Sequence, residues 1–446
     1  MEWRRKRGGL RLKSQVMAAL GVLAHAVWRG AAEIYRLKMD NLSLFMRTEE
    51  YGLILKEERL EGGRRVLDIF WGPQHPSSGH TRFIIEVDGD VVVNVTPDPG
   101  YVHRTMEKLG ETRHWIQNIP LFERLSLPDA INVTWAYALA IERLAKYDVS
   151  PRAQYLRVIM GELSRISTHL YDLGLHAIMI GSSTGFMWAY GLRELLVQLW
   201  AMASGSRTTP TWVLPGGVRT APPDAFYEQT RGFLDYLEKK VDEFMRVVVK
   251  NPVGYYRLKD VGYLSKEDAA RLMATGPGAR GSGIEWDARR AYKYGVYDEF
   301  EWEVCVEDGG DALARTMVRI CEIRQSARII RQALDRVPRD GPLVGEALLH
   351  RIPPKQREKA NELIRLGALF TTMLPQGEGV GVTEGGRGRY YFQVFGDGTE
   401  KPYRVRISTP SWQNLRAMIR AFIGARLMDL PAIYGSFGYF PPEQDR

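Results

Sequence analysis

The sequence predicts an α+β chain in which a central helical bundle lies between an N-terminal and a C-terminal β lobe. Three observations predict it. Apolar and polar residues alternate on either side of Asp88-Gly89, apolar residues recur every three or four positions from about 103 to 250 and from 311 to 337, and alternation returns around Gly396-Asp397-Gly398. With 446 residues, 45% hydrophobic and 26% charged, the chain can bury a large core in one unit or in two to three lobes.

Residues 1–45 read as a basic, amphipathic extension. Arg4, Arg5, Lys6, Arg7, Arg11 and Lys13 stand against Glu2 alone, and an apolar run from Val16 to Trp28 follows, interrupted by His25. That run is shorter than the ~20 apolar residues a membrane-crossing helix needs, and an interfacial basic helix fits it better. Ala24-His25-Ala26 resembles a signal-peptidase site, the weaker reading of the same stretch. The net charge of +8 fits an anionic membrane surface or an acidic partner subunit. No basic-aromatic repeat points to nucleic acid.

Residues 46–102 form the first β lobe. Phe83, Ile85 and Val87 alternate into the Asp88-Gly89 turn, and Val91, Val93 and Val95 return from it. Just before this hairpin, Trp71-Gly72-Pro73-Gln74-His75-Pro76-Ser77-Ser78-Gly79-His80 places two imidazoles among prolines that fix φ and glycines that reach unusual φ. His75 and His80 are therefore the candidate catalytic residues; the plainer alternative is a solvated surface turn.

Residues 103–250 read as the bundle, with helices near 103–117, 129–147, 152–174 and 186–203. Asp129 after Pro128 is a candidate N-cap, and Ser150-Pro151 opens the next helix. In that helix Tyr155, Ile159, Leu163, Ile166, Leu170 and Leu173 form the buried stripe, with Glu162, Arg165 and His169 beside it at one-turn spacing. Such a polar set also suits plain pairing between packed helices. Residues 251–310 read as a small inserted α/β lobe, its Gly276-Pro277-Gly278 and Gly281-Ser282-Gly283 marking close backbone approach. A long helix from Asp311 to Val337 dominates a scaffold segment, 311–371.

The C-terminal lobe and tail, 372–446, begin with glycines from Gly377 to Gly388 that lack the lysine of a phosphate loop and the flanking elements of a dinucleotide fingerprint. They shape a β lobe, with a hairpin of Tyr390–Phe395 and Tyr403–Ile407. Only Cys305 and Cys321 occur, and they form no C-x-x-C pair. This argues against a disulfide framework, for a reducing compartment, and against a nickel-iron or iron-sulfur site, which takes about four thiolates.

The histidine turn, Tyr101-Val102-His103-Arg104, Gln117-Asn118-Ile119-Pro120, Glu162-Leu163-Ser164-Arg165, Gly216-Gly217-Val218, Asp287-Ala288-Arg289-Arg290-Ala291-Tyr292, Pro410-Ser411-Trp412-Gln413-Asn414 and Asp445-Arg446 occur in one order. In that order and spacing the chain resembles the 49 kDa subunit family of respiratory complex I, NADH-quinone oxidoreductase, a relative of the nickel-iron hydrogenase large subunit. The resemblance runs from about residue 64 to the end and implies a hydrogenase-large-subunit-like fold. Where hydrogenases carry their first thiolate pair this chain reads Glu123-Arg124-Leu125-Ser126-Leu127-Pro128-Asp129, and its tail holds no sulfur ligand.

The resemblance implies a peripheral subunit on the cytoplasmic face of the cell membrane, working in a proton-translocating electron-transport complex that takes electrons from NAD(P)H or ferredoxin. It implies three kinds of partner: a small iron-sulfur subunit, a 30 kDa-like subunit and membrane-arm subunits. It implies no cofactor on this chain alone: quinone is the substrate, and the four-iron four-sulfur cluster belongs to the iron-sulfur subunit. Pro76, Gly79, Leu127 and Met179 would face the quinone cavity, and His103, Arg104, Arg124, His169 and Thr209 would lie near the partner's cluster. Ordinary salt bridges, Arg104 to Glu107 and Lys108 to Glu111, are the alternative for that charged stretch.

Four positions depart from the family. Its proton-donating histidine falls at Gly79, its quinone-bonding tyrosine at Leu127, its acidic partner at Met179 and a near-cluster histidine at Thr209. Loss of a histidine together with its acid is coherent, since either alone would be a costly unpaired group. Three readings follow: a quinone reductase subunit in which His75 or His80 donates, a ferredoxin-oxidising relative with a non-quinone acceptor such as a sulfur species, or a structural wall around the partner's cluster.

Overall fold

The computed structural model describes residues 56–59, 65–75, 79–350 and 373–446, in two compact units, Met1–Phe70 and Trp71–Arg446. The expected extension 1–45 lies outside the described residues, as do Pro76 and the end of the scaffold segment. In the first unit the described backbone is an antiparallel pairing of β1 (Lys56–Arg59) with the start of β2 (Arg65–Trp71).

The second unit opens with the predicted hairpin, β3 (Arg82–Asp88) and β4 (Val91–Asp98), turning through Gly89 at φ 65°. The expected alternation of Val91, Val93 and Val95 is only half realised. A register shift at Glu86/Val87 inverts the returning strand, so Val92 and Val95 are buried while Val91 and Val93 are exposed. Phe83, Ile85 and Val87 are buried as expected.

The helix expected near 103–117 is shorter, Met106–Thr112 followed by a 3-10 turn at Trp115–Asn118. Five long helices then build the bundle: α1 (Ala130–Ala145), α2 (Pro151–Met179), α3 (Ser183–Ser204), α4 (Asp224–Phe244) and α5 (Ala312–Arg336). Ser150 caps α2 through Ala153 N at 3.3 Å, and Asp311 caps α5 through Ala314 N at 2.7 Å. Asp129 precedes α1 without capping it. Its carboxylate is drawn into the core, accepting from Asn132 Nδ2 at 2.7 Å, Ser164 Oγ at 2.9 Å and Gly386 N at 2.9 Å.

The α2 stripe is central to the core. Ile159, Leu163, Ile166, Leu170 and Leu173 are all buried among residues of the other long helices, each contributing about 1.5–3 kcal/mol by leaving water. Tyr155 is only partly buried, with its hydroxyl on Glu299.

The C-terminal lobe is a three-stranded antiparallel sheet, β5 (Gly377–Gly385), β6 (Gly388–Gly396) and β7 (Arg404–Ser408), followed by α6 (Pro410–Phe422) and α7 (Leu430–Phe437). The glycine run is thus an additional strand, β5, packed on α1. A Cβ on Gly381 would lie 1.8 Å from Ala136 O, so only glycine allows strand and helix to approach this closely.

Cys305 and Cys321 are joined in a disulfide, Cα–Cα 6.0 Å, tying the segment before α5 to α5 itself. This corrects the expectation of unpaired cysteines: two Cys without a motif can still meet when a loop folds back on a helix. No helix among the described residues is long and apolar enough to cross a membrane.

Candidate functional site

The histidine turn is fixed from its first residue. Trp71 Nε1 donates to His75 Nδ1 at 2.8 Å, so in neutral His75 the proton sits on Nε2. The Trp71 ring packs against Phe83, Phe422 and Tyr434, with centroids 5.6, 6.0 and 5.6 Å away. Gly79 stands at φ +60°, and a Cβ there would meet Pro441 Cγ at 3.3 Å. A histidine at position 79 would need both a left-handed backbone and space already taken by the C-terminal segment. His80, one residue on, is exposed.

A second cluster forms where the Tyr101-Val102-His103-Arg104 turn meets the end of the chain and the 3-10 turn Glu123–Leu125. Val102 N donates to Asp445 Oδ2 at 3.0 Å, and His103 Nδ1 lies 2.5 Å from Asp445 O. Arg104 Nη2 donates to the carbonyl of Arg124 at 2.7 Å, and Arg124 donates to Pro120 O. Burial first, and then the neighbouring Arg124, lowers the Arg104 pKa. Arg104 Nε is buried with no hydrogen-bond partner among the described residues. Of the two salt bridges expected in this stretch, Lys108–Glu111 forms at 2.8 Å, whereas Glu107 pairs with Arg404 and Arg446.

Next to Arg124 lies a residue the sequence reading passed over. Glu123 is fully buried, and its carboxylate accepts from the backbone N and, at 2.9 Å, the hydroxyl of Thr211. Burial pushes its pKa up to about 7 against the opposing pull of those hydrogen bonds, Arg124 and Arg219. Its signal was present in the Glu123-Arg124-Leu125 stretch, but only the arginine was read. Thr209 stands two residues before this contact, half-buried. Leu127 is 42% exposed, and Met179, the last residue of α2, is half-buried.

His169 is placed differently. It lies inside the bundle with Nε2 2.9 Å from Glu322 of α5. Burial outweighs that attraction and lowers its pKa, so the ring is neutral. Around it runs a buried network of charges. Glu322 pairs with Arg280, and Arg280 with Glu384; Glu162 meets Arg165, Arg289, Tyr297 and Ser326; Asp172 bridges Arg319 at 2.9 Å and Arg387 at 2.6 Å; and Arg387 continues to Glu443 at 2.8 Å. Although burial opposes ionisation, Arg280 and then His169 hold Glu322 well below the ordinary carboxylate range. Helix α5, expected to be plain scaffold, supplies Arg315, Arg319 and Glu322 to this interior.

Among the described residues no group of three or more His, Cys, Asp or Glu side chains could hold a metal ion. Both sulfurs are committed to the disulfide, so the donor set does not suit an iron-sulfur or nickel centre.

The profile of the family described as respiratory-chain NADH dehydrogenase, 49 Kd subunit, matches residues 179–446. The chain belongs to this 49 kDa subunit family. Across 84% of its length it is 38% identical to the D subunit of NADH-quinone oxidoreductase from Desulforamulus reducens, covering 96% of that protein. The D subunit from Geotalea uraniireducens is 37% identical, with 85% and 99% covered. Among solved structures, a chain of the membrane-bound sulfane sulfur reductase, an archaeal respiratory membrane complex, superposes with a TM-score of 0.78 at 32% identity, covering 87% of this chain and all of that one. A 49 kDa family member is a subunit of an oxidoreductase complex. The α+β fold with a helical bundle agrees with the same family.

Proposed function

We propose that this chain forms one wall of an electron-acceptor pocket in a complex I-like respiratory complex at the cytoplasmic face of the membrane, and reacts only when assembled. In this reading an iron-sulfur protein closes the pocket, with a 30 kDa-like chain and membrane-arm subunits completing the complex and coupling electron transfer to proton movement. The observation that carries it is the Arg104–Arg124 contact: Arg104 donates to the Arg124 carbonyl, burial lowers the Arg104 pKa and the Arg124 charge lies near enough to lower it further, and Arg104 Nε has no partner among the described residues. The partner's four-iron four-sulfur cluster supplies single electrons. Arg104 and Arg124 lower the cost of negative charge beside them, and His75 and His80 offer N–H donors to the acceptor as it gains charge.

Quinone is the acceptor this reading assigns first, in line with the names of the relatives in Desulforamulus and Geotalea. A specific set of observations favours a second acceptor class. Gly79, Leu127 and Met179 bring no hydrogen-bonding side chain, the space beside Gly79 is filled by Pro441 and Tyr434, and the structural relative is a sulfane sulfur reductase. A polarisable sulfur chain needs fewer directional donors than a quinone head group.

The test is turnover of the purified complex with a water-soluble quinone and, separately, with polysulfide. Quinone turnover blocked by head-group inhibitors supports the first acceptor; polysulfide turnover insensitive to them supports the second. Turnover by the chain alone, without its partners, would overturn both.

A further inference from the structure

We propose that Tyr434 is a positioning residue for this acceptor site, its ring seated beneath both ends of the histidine turn so that His75 and His80 are held in one orientation. The proposal rests on the reading of that turn as acceptor-facing. At the near end the Tyr434 ring meets Trp71 edge-on, centroids 5.6 Å apart and planes at 72°, and Trp71 is the residue whose indole N–H holds His75 at 2.8 Å. At the far end a Cβ on Gly79 would stand 3.5 Å from the Tyr434 hydroxyl oxygen, and Gly79 directly precedes His80. One side chain therefore packs on Trp71 at one end of the turn and lies close beside Gly79 at the other.

The ring is itself held. Tyr434 is 4% exposed and packs against Phe83 and Tyr439, with centroids at 6.3 and 5.5 Å. Its helix, α7, is fastened to the buried charge network through Ser436, whose Oγ accepts from Arg315 Nε at 2.8 Å and whose carbonyl accepts from Arg319 at 3.2 Å. On its other side the same helix meets α2, since a Cβ on Gly435 would lie 2.9 Å from Met179 Sδ. The pair Tyr434-Gly435 thus fits between Gly79 and Met179. Burial holds the Tyr434 hydroxyl well above the usual tyrosine pKa, so the ring stays neutral and the hydroxyl protonated.

A turn rich in glycine and proline sets its own local bends, but its placement on the body depends on what lies beneath it. A displacement of about 1 Å of a reacting group can cost about a hundredfold in rate. A stiff ring with two rotatable bonds does this at little entropic cost.

The experiment compares Tyr434→Leu and Tyr434→Phe in the assembled complex, using a quinone and polysulfide as acceptors. For Tyr434→Leu we expect kcat to fall about tenfold or more with KM changed by less than about threefold. Tyr434→Phe, which keeps the ring, should restore at least about half of the lost rate. An assembled Tyr434→Leu complex with unchanged kcat overturns the proposal. Should Tyr434→Leu fail to assemble, Tyr434→Met, which keeps most of the bulk without the flat ring, takes its place, and unchanged kcat there overturns it equally. If His75→Ala with His80→Ala leaves turnover intact, the acceptor-facing reading fails and this proposal with it; if that pair abolishes turnover while Tyr434→Leu does not, only the role of Tyr434 fails.

Discussion

Arg104 reaches across to Arg124 and donates to its backbone carbonyl at 2.7 Å; burial lowers the Arg104 pKa, and the Arg124 charge lies near enough to lower it further. Holding them together costs repulsion that an anionic neighbour would offset. At ~10 Å and an effective dielectric of ~20, one unit charge is worth about 1.7 kcal/mol. Removing either arginine should therefore lower the midpoint potential of a nearby partner cluster by some tens of millivolts (~1 kcal/mol or more). Redox titration of the Arg104→Met and Arg124→Met complexes by electron paramagnetic resonance reads this directly; an unchanged potential in both counts against the cluster-facing placement.

Glu123 gives a pH prediction. Its pKa is raised from the ordinary glutamate value to about 7 by burial, so between about pH 4.5 and 7 the folded state binds more protons than the unfolded chain, and stability falls as pH rises through that window. The full penalty, reached above pH 7, is about 3 kcal/mol. Glu123→Gln removes the titration, so its stability relative to the native protein should improve progressively from pH 5 to pH 8 in urea unfolding. A constant offset across that range contradicts the assignment.

The Asp172, Arg387 and Glu443 group is buried throughout, with Arg387 bonded to both acids. Truncating one member of such a group strands the others without compensation, typically at about 3–5 kcal/mol. Arg387→Ala should lose that much, while the double change Asp172→Asn with Arg387→Ala should lose less than the sum of its single changes. Strict additivity in the double-mutant cycle would show that the contact carries no coupling.

The disulfide closes a short loop, the two cysteines being 16 residues apart in the chain. A crosslink over about 15 residues contributes about 3 kcal/mol in the chain-entropy account. Cys321→Ser should lower the urea midpoint accordingly, and the unfolded native protein should yield no free thiol until a reductant is added. Two thiols titrating without reductant would show the bond to be absent.

The parts most legible in the sequence were those set by local periodicity. The α2 stripe from Ile159 to Leu173, the cap at Ser150 and the hairpin at Asp88-Gly89 follow from spacing and turn chemistry, whereas Asp129, expected as a cap, is drawn into the core instead. What stayed hidden depends on long-range meeting. Val91 and Val93 lost the core face because Val93 is the extra residue of a bulge in the returning strand itself, which resets the register there, and no alternation pattern reveals it. Strand β5 was obscured because its glycines have weak strand preference, and their reason is the backbone of α1, more than 200 residues earlier. The site divides in the same way. His75 and His80 stood out by residue type and Arg104 and Arg124 only through the family resemblance, whereas Glu123 needed its burial against Thr211, and Tyr434 its place against Trp71, before either had a role. Helix α5 looked like scaffold because its charges are ordinary in sequence and unusual only when enclosed.

The central claim is that this chain contributes a pocket wall whose histidine turn faces the acceptor, and the most direct measurement is the turnover of the assembled complex carrying both His75→Ala and His80→Ala. The account predicts that the complex assembles with an intact partner cluster yet loses at least ~10²-fold in kcat, the scale of a lost general acid. Wild-type turnover in that variant would contradict it.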